Sequence, residues 1–116
     1  MKREQRLRKP ADFQRVREAA ERSWAHPLLI LYAAPNDEGH TRVGITVAKR
    51  VAKSAVKRNL IRRRIREAMR LRYERTRAGS DLVFIARNNT LQATWPQIRE
   101  AVDAVIQRAG LDVSPS

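Results

Sequence analysis

Residues 56–72 read VKRNLIRRRIREAMRLR. They hold eight Lys or Arg against one Glu, with five arginines in the nine residues from Arg58 to Arg66. Like charges this close repel and cost folding stability, so a partner outside the chain is needed to offset them. The stretch reads as the body of a long helix over 54 to about 76, ended by Gly79-Ser80. At about 100° per residue, Asn59, Arg62, Arg63, Arg66 and Arg70 fall within an arc of roughly 100°. Leu60, Ile61, Ile65, Ala68 and Leu71 gather on another side. One side can bury while the other presents an arginine stripe carrying one asparagine.

Outward from this helix, both neighbours are strands. Before it, TRVGITVAK (41–49) alternates, with Val43, Ile45 and Val47 on one face and Arg42, Gly44, Thr46 and Ala48 on the other. After it, DLVFIAR (81–87) is a second strand. A long helix between two strands suggests a parallel crossover and places the chain in the α+β class with one sheet. Further out, HPLLILYAAP (26–35) is a strand bounded by prolines, and PNDEGH (35–40) a turn. Pro10 to about Arg22 forms a first helix, with Pro10 suited to its first turn and Phe13, Val16 and Ala20 at helical spacing. NNT (88–90) is a loop. Thr94 with Gln97 makes a capping-box pattern for a last helix that Gly110 closes. Residues 1–9 and 111–116 are expected to be flexible. The strands carry apolar residues on both faces and helices are few, so one sheet face is expected to be only partly covered.

The 116 residues fit one domain with a modest core, 42% of the chain being apolar. The net charge is +13, and the window from Lys49 to Arg77 alone holds 13 basic residues and two acids. That local excess favours a polyanion, nucleic acid first and an anionic membrane second. A solvated helix face normally interleaves both signs, and here only Glu67 and Glu74 are available for ion pairs. A membrane-surface helix would carry aromatics on its apolar face, and this one has none. The absence of cysteine excludes disulfides and thiolate metal sites. No signal-peptide core follows Met1, and the longest apolar run is too short to span a bilayer. A cytoplasmic protein with no membrane partner is expected.

The stripe alone does not separate RNA from DNA. Aromatic side chains on strands tilt toward single-stranded nucleic acid, because bases stack on them. Tyr32 and Phe84 lie on strands and Phe13 on the first helix, and ordinary core packing would explain each equally well. A ribosomal or general RNA-binding protein and a DNA-binding protein using a basic helix both stay open at this point. His26, at a strand entrance, and His40, in a turn, belong to no arrangement suggesting a nucleophile, general base or metal cage. Catalytic and metal-ligating residues are therefore expected to be absent from the protein.

The stretch AVKRNLIRRRIREAMR (55–70) resembles the arginine-rich signature helix of the protein subunit of bacterial ribonuclease P. Arg58 and Asn59 match the start of its Arg-Asn-Arg triplet, Arg62-Arg63 its basic pair, and Arg66 its last arginine. Leu60 stands where the triplet has its second arginine. RLRKPADFQRV (6–16), RVGITVAKRV (42–51) and DLVFIAR (81–87) are similar to flanking segments of the family, in the same order. Ala48-Lys49-Arg50 replaces its usual Ser-Lys-Lys. The similarity spans about residues 6 to 109.

The resemblance implies a four-stranded mixed sheet with three helices in the order αβββαβα, like a domain of some ribosomal proteins, with a short extra strand near Ser23 to His26. It implies a ribonucleoprotein endonuclease that removes the 5′ leader of precursor tRNA. Catalysis would come from the RNA subunit with magnesium ions bound mainly by that RNA. One protein per catalytic RNA is expected. Lys49, Arg50, Lys53, Lys57, Arg58, Asn59, Arg62, Arg63, Arg66 and Arg70 would dock on the RNA. Phe13 and Tyr32, with Phe84 and Arg87, would line a cleft for the single-stranded leader.

Overall fold

The computed structural model describes residues 1–113. Its elements are α1 (Pro10–Ala19), β1 (Ser23–Ala25), β2 (Leu29–Pro35), β3 (Arg42–Thr46), α2 (Ala55–Arg72), β4 (Ser80–Ala86) and α3 (Trp95–Arg108). This is the αβββαβα order, and β1 lies where the extra strand is expected. The sheet runs β1-β2-β4-β3, with β2 antiparallel to both of its neighbours and β3 parallel to β4. Helix α2 connects the two parallel strands, as the strand–helix–strand pattern requires.

Alternation along the strands divides the sheet into two faces. Leu29 and Leu31 of β2, Val43 and Ile45 of β3, and Leu82 and Phe84 of β4 point into the main core under α2 and α3. Helix α3 contributes Ile98, Ala101, Val102, Val105 and Ile106, an i, i+3, i+4 series that is wholly buried. Its start is the predicted capping box: the Thr94 hydroxyl accepts from the Gln97 N–H at 3.3 Å, and Gln97 returns the bond at 2.9 Å. On the opposite face, α1 alone covers a smaller core of Leu7, Val16, Ala34 and Val83. The rest of that face is left open, as its scarcity of helices predicts.

Several boundaries differ from the sequence expectation. Helices α1 and α2 end at Ala19 and Arg72 rather than near Arg22 and 76, and a 3-10 turn (Tyr73–Arg75) continues α2. The expected loop at 88–90 is a 3-10 turn over Asn88–Gln92, fixed by the buried Thr90 hydroxyl, which donates to the carbonyls of Leu28 and Arg87. The N-terminal nine residues are not a free arm. Leu7 is buried, its N–H donates to the Val43 carbonyl at 2.9 Å, and Arg6 bridges to Val43 at the sheet edge. Residues 111–113 are likewise tied down, through Arg77 N–H to Leu111 O and Val113 N–H to Arg75 O, both 2.7 Å. The expectation for 114–116 lies outside the described residues.

Helix α2 buries Ile61, Ile65, Ala68, Met69 and Arg72. Leu71, expected on the apolar side, is exposed, and Leu60 is half-buried. The buried arc is centred near Arg72, about 130° from the middle of the arginine stripe, and Leu60 and Leu71 lie about 120° and 100° from that centre on the other side, outside the arc.

Candidate nucleic-acid interface

The arginine stripe stands on the outer side of α2. Asn59, Arg63 and Arg70 are exposed, and Arg62 and Arg66 are half-buried at the flank next to Met69. Ser54 caps the helix, its hydroxyl accepting from the Lys57 N–H. No acid lies in the first turn, whereas Lys57 and Arg58 do. Cations at a helix N-terminus add to the positive end of its dipole, so this end repels cations and attracts anions.

Not every basic side chain of the stripe is equally free. Arg62 donates to the Asn59 Oδ1 at 2.7 Å, which sets the two side by side. Arg70 is paired with Glu67 through two hydrogen bonds, at 2.9 and 2.6 Å. That pairing raises the guanidinium pKa of Arg70 and lowers the carboxyl pKa of Glu67. Arg58 turns back and donates to the carbonyls of Ala52 and Lys53, at 2.9 and 2.8 Å. It therefore clasps the loop before the helix and holds Lys53 at the helix entrance. Lys49 and Arg50 occupy the turn after β3, and both are exposed with Lys53 and Lys57.

The open sheet face provides a second surface. Phe13 of α1 lies on the backbone of Gly44 in β3, and a Cβ there would meet three ring atoms within 3.0 Å. Only glycine lets the ring approach so closely. Phe13, Arg17, Tyr32 and Thr46 line a groove of about 570 Å³ between α1 and the sheet. The Arg17 guanidinium stands 5.7 Å from the Tyr32 ring centroid, a cation–π distance. Beyond Tyr32 a further groove, of about 430 Å³, is lined by Ile30, Ile85, Arg87 and Arg50. Arg50 thus belongs to both surfaces and joins the stripe side to the sheet side. Thr90 holds the Arg87 carbonyl, which fixes the backbone from which that arginine projects.

Phe84 does not belong to this cleft. Tyr32 pairs with Val83 across β2 and β4, so Phe84, one residue on, points to the other face. It is fully buried in the main core.

Sequence reasoning also missed Arg72, Arg17 and the N-terminal arm. Arg72 is 2% exposed and forms ion pairs with Asp103 of α3, at 2.7 Å, and with Asp112. Its helical phase, shared with Ile61, Ile65 and Ala68, is the signal that marks it as structural. Arg17 is four residues from Phe13, on the same face of α1. The two histidines serve local structure. The His26 Nδ1 accepts from the Leu28 N–H at 3.0 Å, and the His40 ring lies between the carbonyls of Glu38 and Glu4. Asn36 makes an Asx turn with the Glu38 N–H. Among the described residues, no three or more His, Cys, Asp or Glu side chains gather where they could hold a metal ion. No described helix is long and apolar enough to cross a membrane.

The sequence profile of the family described as Ribonuclease P matches residues 1–110. The chain is 48% identical over 111 residues to the ribonuclease P protein component of Herpetosiphon aurantiacus, covering 96% of this chain and 89% of that one. It is 48% identical over 112 residues to the corresponding component of Roseiflexus castenholzii, covering 96% and 90%. Its fold is similar to the Staphylococcus aureus RNase P protein solved at 2.0 Å, with a TM-score of 0.84 and 33% identity over 93% of this chain and 97% of the other. The Thermotoga maritima RNase P protein, 24% identical over 89% of this chain and 96% of the other, shares the fold with a TM-score of 0.80. Profile, coverage and architecture agree, and the chain belongs to the bacterial ribonuclease P protein family.

Proposed function

We propose that this subunit works as an electrostatic and stacking platform that holds precursor tRNA on the catalytic RNA of ribonuclease P. The α2 stripe, with Lys49, Arg50, Lys53 and Lys57, docks on phosphates of the RNA subunit. Arginine forks engage phosphate oxygens at two points, which a lysine cannot do. The open sheet face receives the single-stranded 5′ leader, with Phe13 and Tyr32 as stacking surfaces and Arg17, Arg50 and Arg87 available to its phosphates. The observation that carries this reading is the continuity of the two surfaces through Arg50, which lines the sheet groove and stands in the turn leading to α2.

In this reading the RNA subunit performs the cleavage and binds the magnesium ions that assist it. The protein supplies no reacting group. Its fixed cations replace diffusing ones around the RNA, so less magnesium is needed for the same activity. Contact with the leader raises affinity for precursor over mature tRNA. One protein per RNA suffices for this geometry, and a cytoplasmic site of action fits the role.

Cleavage of precursor tRNA, measured with protein alone, with catalytic RNA alone and with both, tests the proposal. The expected result is 5′ cleavage only when the RNA is present, and at lower magnesium when the protein is added. Cleavage by protein free of RNA, or an unchanged magnesium requirement, would overturn it.

A further inference from the structure

Helix α1 fully buries one side chain, Val16, which enters the smaller core. At about 100° per residue, Arg15 and Arg17 project to opposite sides of Val16, and Phe13 lies on the Arg17 side. That side borders the groove, which Phe13 and Arg17 line with Tyr32. The Arg15 side faces the start of β4, where the Arg15 guanidinium donates to the Asp81 carboxylate. No apolar residue of α1 is buried on that flank. Val16 therefore sets the distance of the helix from the sheet, and the Arg15–Asp81 pair opposes its rolling toward the groove.

Asp81 is fixed without help from α1. Its side chain is fully buried, Arg42 donates to both of its oxygens, at 2.8 and 2.7 Å, and Asn36 adds a bond at 2.7 Å. Asn36 also holds the His40 carbonyl, at 3.1 Å, which ties the carboxylate to the β2–β3 turn as well as to β3. With a cationic partner and a neutral one already in place, the carboxylate is satisfied before Arg15 reaches it. Arg15, whose side chain is 43% exposed, is the one donor that comes from α1. The consequence of its bond falls on the helix rather than on Asp81.

We propose that Arg15 is a positioning residue for the leader: anchored on the preset carboxylate of Asp81, it sets the roll of α1 and with it the width of the groove between Phe13 and Tyr32. This rests on the leader-binding role assigned above to the open sheet face. Arg15 itself points away from the groove and touches no part of the leader.

The test makes two measurements on the wild type, Arg15→Gln, Arg15→Lys and Asp81→Asn, all well below their melting temperatures. One is the affinity of the protein–catalytic RNA complex for precursor tRNA with a leader of several nucleotides or of one. The other is the NMR shift of the Gly44 amide in the free protein, which reads the ring current of Phe13 seated on it. Arg15→Gln is expected to bind the long leader roughly fivefold more weakly, the low end of one stacking contact. It should bind the short leader normally, keep the salt slope and move the Gly44 amide. Arg15→Lys retains a cation for Asp81 and should recover most of the affinity. Asp81→Asn separates positioning from a direct charge contact. Loss of a negative charge should strengthen phosphate binding, whereas loss of the anchor should weaken long-leader binding, as Arg15→Gln does. The double variant should lose less than the product of the two single losses, because both act through one pair. Wild-type long-leader affinity in Arg15→Gln, equal losses on both leaders, or tighter binding by Asp81→Asn would each overturn the positioning role. So would a salt slope lowered by about 0.7, the mark of a lost single-strand phosphate contact. A wild-type complex indifferent to leader length would instead overturn the leader reading itself, and the Gly44 shift alone would then show whether Arg15 sets the roll of the helix.

Discussion

The ring of Phe13 rests on the backbone of Gly44, so the first helix is seated on the sheet at a point where no side chain fits. This contact sets the floor of the groove that also contains Tyr32. Gly44→Ala should displace the ring and tilt α1. Overpacking of this kind costs about 1–3 kcal/mol. The lowered melting temperature should be accompanied by weaker binding of precursor tRNA with a long leader. Phe13→Leu in the Gly44→Ala background should recover part of the stability but not the leader affinity.

Tyr32 offers a cleaner separation of stacking from packing. Its ring is half-buried beside Arg17, and its neighbours across the sheet are Ser23 and Val83. Tyr32→Phe keeps the ring and should change leader affinity little. Tyr32→Leu should cost about 1–3 kcal/mol of binding, the worth of one base stacked on an aromatic ring. The loss should appear with a leader of several nucleotides and vanish with a leader of one. Equal losses on both substrates would return Tyr32 to a purely structural role.

The contrast between Tyr32 and Phe84 shows what the sequence could and could not reveal. Strand identity and helix order, β1 excepted, follow from local periodicity and caps, with several ends displaced by a few residues. Which face a strand residue occupies depends on register with a strand some fifty residues away, and nothing local to DLVFIAR encodes that register. Arg72 illustrates the opposite case. Its place on the apolar phase of α2 was available from the wheel, but its partners Asp103 and Asp112 come from α3 and the C-terminal segment. The N-terminal arm looked free because its composition is basic. A single buried residue, Leu7, anchors it.

Asp81 should give the protein a distinct acid limb of stability. Its carboxylate is completely buried. Burial works to raise its pKa, but hydrogen bonds from Arg42, Asn36 and Arg15 outweigh that and hold it below the ordinary carboxylate value. Arg42 supplies two of them, at 2.8 and 2.7 Å, and Asn36 one at 2.7 Å. A depressed folded pKa means the stabilisation is fully present above the unfolded value, near 3.8, and is lost as pH falls through the folded one. Melting temperature should therefore drop more steeply on acidification in the wild type than in Asp81→Asn. At neutral pH that variant should be about 1–3 kcal/mol less stable, because Arg42 and Arg15 lose their counter-charge but stay partly solvated.

Arginines on one helix should divide into two classes by experiment. Arg72 is buried against two carboxylates, and Arg72→Ala leaves both without a partner, so a loss of about 3–5 kcal/mol in stability is expected. Arg63 is exposed and takes part in no ion pair among the described residues. Arg63→Ala should leave the melting temperature unchanged or slightly higher, and should weaken binding to catalytic RNA while lowering the salt slope by about 1. The triple variant Arg62→Ala, Arg63→Ala, Arg66→Ala extends this. Its circular dichroism should match the wild type, and its salt dependence should be flatter by roughly 0.7 to 0.9 per phosphate contact removed. An unfolded triple variant would show that the stripe supports the helix itself. An unchanged slope in a folded one would move the RNA contact off α2 altogether, to the arm or to the turn carrying Lys49 and Arg50.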